Sequence, residues 1–151
     1  MSITSEEYST VPLFDNIEPL KIADFLEIAE NMTVHKCEIV FQAGDCGDGF
    51  FVISRGRFEV KLHDKSLAIL GELSFFGEMS LLSNTPRSAT VICKEPGRLK
   101  FFPKEKFLQR LQDNNLVAYK VIHNMSRIMA ARLERIDEEY SACSNAGAVK
   151  Q

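Results

Sequence analysis

The apolar positions of this chain change period twice. Over residues 16–32, Ile22, Leu26 and Ala29 recur at helical spacing with Glu27, Glu30 and Asn31 opposite, which predicts a helix. From Val34 to Phe102 the pattern shortens to alternating or clustered apolar runs, separated by Gly-Asp, Gly-Arg, His-Asp and Pro-Gly pairs that read as turns. In Arg57–His63, the clearest run, Phe58, Val60 and Leu62 share one face and the charges take the other. About eight short antiparallel strands are predicted here, closing into a sandwich or roll. After Pro103, which suits a first helical position, helical spacing returns and places Phe107, Leu108 and Leu111 on one face. Asn114-Asn115 marks a break, and a long helix is predicted from about Leu116 to Tyr140. That helix carries two stripes. Tyr119, Ile122, Ser126, Met129, Leu133, Ile136 and Tyr140 follow a coiled-coil spacing. Val117, Val121, Met125 and Ile128 form a second stripe suited to packing on the roll. A helix apolar on two sides needs two partners, so a homodimer through residues 116–140 is expected.

These elements define an α+β fold: an antiparallel, jelly-roll-like β-roll with one helix before it and a short and a long helix after it. A chain of 151 residues is long enough for one such domain with a real core. The expected domain covers residues 12–140, with the roll at about 34–102 and the C-terminal helices at 103–140. Residues 1–11 and 141–151 are polar or small and are expected to be flexible flanks.

Charge and composition remove several functions. The net charge is -3 and no block of Lys or Arg stands out, against direct binding of a nucleic-acid backbone. No apolar run reaches the length of a membrane span, so no membrane association is expected. Met1–Glu7 lacks the basic and apolar regions of a secretion signal, which leaves a cytoplasmic location as the expectation. Cys37, Cys46, Cys93 and Cys143 are scattered and include no Cys-x-x-Cys pair. His35, His63 and His123 fall on separate elements, so neither a metal site nor a cofactor is expected. Nothing resembles a catalytic triad, and no enzymatic activity is expected.

The chemistry concentrates in Phe75–Leu82 and Thr85–Val91, where Glu78 and Arg87 stand nine residues apart within apolar sequence. A charge near buried surface is costly unless paired. These two therefore pair with each other or converge on a polar, anionic ligand. Gly77 permits close backbone approach. A short helical turn over residues 78–82 would leave the amides of about residues 77–80, including Met79 and Ser80, as free donors that attract an anion. Arg87 offers a planar fork suited to phosphate, with the Ser88 hydroxyl beside it and Ala89 following. An ionised Glu78 only accepts hydrogen bonds, which suits the hydroxyls of a sugar. Phosphate at one end and ribose at the other describes a nucleotide with a compact, singly charged phosphate.

The run Phe76-Gly77-Glu78-Met79-Ser80-Leu81-Leu82, followed by Pro86-Arg87-Ser88-Ala89-Thr90-Val91, resembles the phosphate-binding cassette of cyclic nucleotide-binding domains. Upstream, Glu38–Asp45 and Gly49–Val60 resemble that family's glycine-punctuated strands, and the likeness covers about residues 12–140. The resemblance implies a regulatory sensor that binds cAMP or cGMP and moves its C-terminal helix. Ser80 stands where Ala or Gly is common in the family. By resemblance, a hydroxyl at Ser88 can favour cGMP, yet Ser also occurs there in bacterial activators that prefer cAMP; cAMP is the expected ligand. Base contacts from the long helix are expected among Arg132, Leu133, Ile136 and Asp137. The helix-turn-helix of the transcription-factor branch is not expected in the residues after 140, and the expectation is a free-standing module or a fragment of a longer protein. The downstream protein partner is not specified by any motif. The rival readings are a roll that senses a different small effector and a non-binding module kept for dimerisation.

Overall fold

The computed structural model describes residues 4–149. Six strands form one antiparallel sheet: β1 (Glu30–Val34), β2 (Ile39–Phe41), β3 (Gly49–Leu62), β4 (Lys65–Leu70), β5 (Phe75–Phe76) and β6 (Thr90–Pro103). Strands β3 and β6 are 14 residues long and pair with each other along most of their length. The short strands attach to their outer edges, β1 and β2 to different parts of β6, and β4 and β5 to different parts of β3. A sheet with two long bent strands and split flanks rolls up on itself, which is the antiparallel α+β roll expected from the pattern.

The count falls from the expected eight to six for a specific reason. The Gly56-Arg57 and Pro96-Gly97 pairs do not end strands. They lie where the β3–β6 register slips, between Ile53 and Phe58. Such irregularities bend a strand without ending it. Gly56 has φ +94, and a Cβ there would sit 2.7 Å from Gly97 Cα. Only two glycines let the backbones meet at this bend. His63-Asp64, in contrast, is a true hairpin turn between β3 and β4, with His63 at φ 55.

Helices cover one face. α1 (Ser5–Tyr8), a 3-10 turn (Pro12–Phe14) and α2 (Pro19–Leu26) precede the sheet. α3 (Met79–Leu82) interrupts it, and α4 (Lys104–Gln112) and α5 (Leu116–Val149) follow it. The helix predicted over 16–32 is shorter than expected: it ends at Leu26, and Glu30–Met32 instead pair with Leu99–Phe101 of β6. Pro103 is the residue before α4 and not its first. The segment expected to be a loose N-terminus is also corrected. Tyr8 is fully buried, packs edge-on against Phe14 with centroids 5.7 Å apart, and shares a 2.8 Å hydrogen bond between its hydroxyl and Ser54 Oγ. Val11 is buried beside it. At the other end α5 continues as helix to Val149, beyond the expected limit at Tyr140. Ala142, Ala146 and Ala148 favour helix, which the small, polar character of the segment had obscured.

The core has two parts. Between helices and sheet, Phe50 and Phe102 stack at 4.7 Å, Phe25 stacks on Phe102 at 5.3 Å, and Phe107 meets Phe25 and Phe50 edge-on. Inside the roll, Phe51, Ile53, Phe58, Phe76, Val91 and Leu99 form a separate cluster. The stripe Val117, Val121 and Met125 of α5 is buried against the first cluster, with Ile128 half-buried beyond it. The other stripe keeps Tyr119 half exposed and Leu133 mostly exposed.

Asn124, buried on the same helix, donates from Nδ2 to the carbonyls of Leu13 (3.0 Å) and Asp15 (2.9 Å). It ties α5 to the turn before α2. Asn124→Ala leaves two carbonyls short of a donor and is expected to destabilise the fold by about 1–3 kcal/mol, measurable by urea denaturation.

Candidate functional site

A cavity of about 250 Å³ opens between the end of the roll and α5. Gly77, Glu78, Met79, Ser80, Arg87, Ser88 and Ala89 all line it, so the residues chosen from sequence converge in space. Apolar walls come from Val60, Leu70, Phe75 and Val91 among others. Among the candidates on α5 whose side chains are described, only Arg132 lines the cavity. Leu133 and Asp137 are exposed and do not line it. The side chain of Ile136 lies outside the described residues.

Glu78 and Arg87 do not pair with each other; each has its own partner. Arg87 is pinned from several sides with its side chain only 3% exposed. Its Nη1 donates to Gly77 O (2.9 Å) and to Ser80 Oγ (3.0 Å), and its Nη2 to Asp48 Oδ1 (3.2 Å). The guanidinium lies over the Phe41 ring at 4.1 Å from the centroid, a cation–π contact. Burial pushes the Arg87 pKa below its ordinary value, and the Asp48 carboxylate opposes that shift. The buried Nε has no hydrogen-bond partner. A buried guanidinium with an unused donor is suited to receive an anion, since an unmet donor in low dielectric costs free energy until something accepts from it.

Ser80 holds this arrangement from behind. Its hydroxyl lies 3.0 Å from Gly49 O and 2.9 Å from Gly77 O, and accepts from Arg87. The departure from Ala or Gly here thus adds a hydrogen bond to the arginine. Gly77 has φ +80, and a Cβ there would fall 2.8 Å from Arg87 Nη1. Gly77→Ala is expected to displace the guanidinium and lower anion affinity about tenfold or more, read by calorimetry against the parent chain.

Glu78 precedes α3 without making a side-chain capping hydrogen bond. Its side chain is 13% exposed, and its carboxylate lies 4.0 Å from Arg132 Nη1. Arg132 in turn stacks over Phe75 at 4.9 Å. The carboxylate is therefore held against α5 by a loose ion pair across the cavity. Ser88 is exposed and Ala89 almost buried, which fits a lining that turns from solvent to core within two residues.

Sequence reasoning missed Phe41 and Asp48. Asp48 stands in Gly47-Asp48-Gly49, which reads locally as a turn, and its role appears only when Arg87 is brought to it from 39 residues away. Among the described residues no three His, Cys, Asp or Glu side chains are placed to hold a metal ion. No helix among them is long and apolar enough to cross a membrane.

A roll with an arginine-lined pocket capped by a following helix defines a ligand-binding module. The family model for the cyclic nucleotide-binding domain matches residues 32–114, more than half of the chain, and the protein belongs to that family. The chain is 31% identical over 102 residues, 68% of its length, to the cAMP-dependent protein kinase type II regulatory subunit of Drosophila melanogaster. It is 29% identical over 138 residues, 88% of its length, to the cyclic AMP receptor protein of Thermus thermophilus. It spans 27% and 62% of those two relatives, respectively. The crystal structure of the Thermus thermophilus catabolite activator protein superposes with a TM-score of 0.78 at 28% identity, covering 88% of this chain and 63% of that one.

Proposed function

We propose that this chain is a cyclic-nucleotide-responsive regulatory module without catalytic activity, that it prefers cAMP to cGMP, and that it signals through α5. The observation that carries the reading is Arg87: a nearly inaccessible guanidinium on the wall of the cavity, with one donor unused, across from the Glu78 carboxylate. The preference for cAMP rests on two relatives whose names specify cAMP and that match over 102 and 138 residues, against 88 residues at 34% identity for the cGMP-dependent protein kinase of Plasmodium berghei.

The cyclic phosphate takes the Arg87 fork and the free amides at the start of α3. Asp48, whose side chain is 78% exposed, yields its place at Nη2 to the phosphate and returns to water at little cost. The ribose hydroxyl donates to Glu78, which releases Arg132. Because Arg132 belongs to α5, ligand at one end of the cavity changes a contact that holds the helix at the other. Ligand shifts α5 only to the extent that it binds the two helix positions with different affinity. The half-exposed stripe through Tyr119, Ile122, Met129 and Leu133 is the surface through which a homodimer would form.

A double-mutant cycle tests the ribose contact. Glu78→Gln should weaken cAMP binding by about 1–3 kcal/mol, and 2′-deoxy-cAMP should weaken binding to the parent chain comparably. The two losses should fail to add when combined, because they remove one hydrogen bond. Fully additive losses would place the ribose elsewhere.

A further inference from the structure

A second groove lies away from the cavity, where β1, β6 and β3 run side by side. Its volume is about 320 Å³, and Thr33, His35, Arg55, Gly97 and Arg98 line it. Arg98 stands directly between Thr33 of β1 and Arg55 of β3 in the sheet register. Two arginines are thus cross-strand neighbours, an arrangement that destabilises a sheet unless an anion lies between them. No Asp or Glu lines the groove. Of the neighbouring acids, Glu38 lies 3.8 Å from His35 on the groove wall, and Glu95 lies 4.0 Å from Arg57. Neither Arg55 nor Arg98 makes an ion pair among the described residues, and both are exposed. Lys100 follows on the same face of β6, half-buried, and desolvation pushes its pKa below the ordinary value.

This concentration of positive charge occurs on a chain whose net charge is -3. The backbone here is also the part of the β3–β6 ladder where register slips on either side of Arg55. Such slips re-aim side chains and gather at functional places in sheets. Gly97 also lines the groove, and a Cβ there would meet Arg55 O at 2.6 Å and the buried Phe58 ring at 2.9 Å. A groove walled by two arginines, with no carboxylate among its lining residues, suits an extended chain bearing carboxylates. A nucleic-acid backbone fits less well: tight binding of that kind draws on roughly 6–10 phosphate contacts, and the groove offers two arginines.

We infer that the groove between Arg55 and Arg98 is a docking site for an acidic peptide segment of a partner protein, separate from the nucleotide cavity. Arginine forks pair with carboxylates in two-pronged fashion, so the segment would place one acidic side chain between the two arginines.

The test uses the full chain labelled with nitrogen-15 and a capped Glu-Asp-Gly repeat peptide as probe. Titration should shift amides at residues 33–35, 55–56 and 97–98 while leaving those of 77–80 in place. The affinity should fall steeply with added salt, since exposed charges are screened beyond about 10 Å at 0.1 M. Arg98→Glu should weaken the peptide about tenfold or more, and Arg55→Gln together with Arg98→Gln should do likewise without reversing charge. Neither residue lines the cavity, so cAMP binding should be unchanged in these variants, which also verifies folding. Shifts spread over unrelated lysines, or unaltered affinity in Arg98→Glu, would overturn the proposal. So would a thymidine oligonucleotide that occupies the same amides more tightly than the peptide, since that would make the groove a nucleic-acid site.

Discussion

Arg87→Ala is expected to reduce cyclic-nucleotide affinity by roughly 30- to 5,000-fold, the range that about 2–5 kcal/mol of a lost buried charge partner converts to. The side chain supplies the positive charge at the phosphate end of the cavity, and its burial makes that charge act in low dielectric. Arg132, the other arginine on the wall, stands on α5 beside Glu78 and does not replace it. Loss of the guanidinium also removes the donor to Gly77 O and uncovers Phe41, so the cassette loosens as well as losing charge. Arg87→Lys separates the two effects. It keeps a point charge but not the fork that reaches Gly77 O, Ser80 and Asp48 together, and should fall between parent and Ala. Calorimetric titration reads both variants, with circular dichroism verifying the fold. An alanine variant that binds as the parent does would remove Arg87 from the site.

Phe102→Ala is expected to have the largest effect on stability. The ring stacks on Phe50 at 4.7 Å and on Phe25 at 5.3 Å, and is completely buried. It is the point at which the last strand of the roll meets α2. Emptying such a site costs about 3–5 kcal/mol through lost transfer energy and an unfilled cavity. At about 2–4 °C per kcal/mol for a chain of this size, the melting temperature should fall by roughly 6–20 °C. Differential scanning calorimetry measures it. Tyr119, half exposed on α5, is the contrasting control: Tyr119→Ala should change the monomer's stability little.

The roll and the long helix were legible because their signals are local. Alternation at Phe58, Val60 and Leu62 marks a strand, although burial fades along it from Phe58 to an exposed Leu62, and the stripe Val117, Val121 and Met125 reports a helix with one buried face. The failures are equally specific. β1 shows four exposed residues before Val34, so no period distinguishes it from an extension of α2; it is a strand because β6 supplies its hydrogen bonds. Gly56 and Gly97 look like turns in sequence and are bends in structure, because each faces the other across the ladder. Tyr8 looks like part of a polar flank, and only its bond to Ser54 and its place in the core explain its burial. At the site, residues 77–80 and 87–89 were legible from a compact motif. Phe41 and Asp48 were not, because folding brings them to Arg87 from another strand and another loop. That Arg132, and not Leu133 or Asp137, lines the cavity was not legible from spacing, since it follows from how α5 packs on the roll.

Binding of a cyclic nucleotide at Glu78 and Arg87 is the central claim, and titration calorimetry of the parent chain with cAMP and cGMP tests it most directly. The protein must first be shown to be folded and free of co-purified nucleotide. The account predicts saturable heat at micromolar concentration or below, tighter for cAMP, and its disappearance in Arg87→Ala. No heat with either nucleotide would contradict it, and would leave a roll with a different effector or a module kept for its helix.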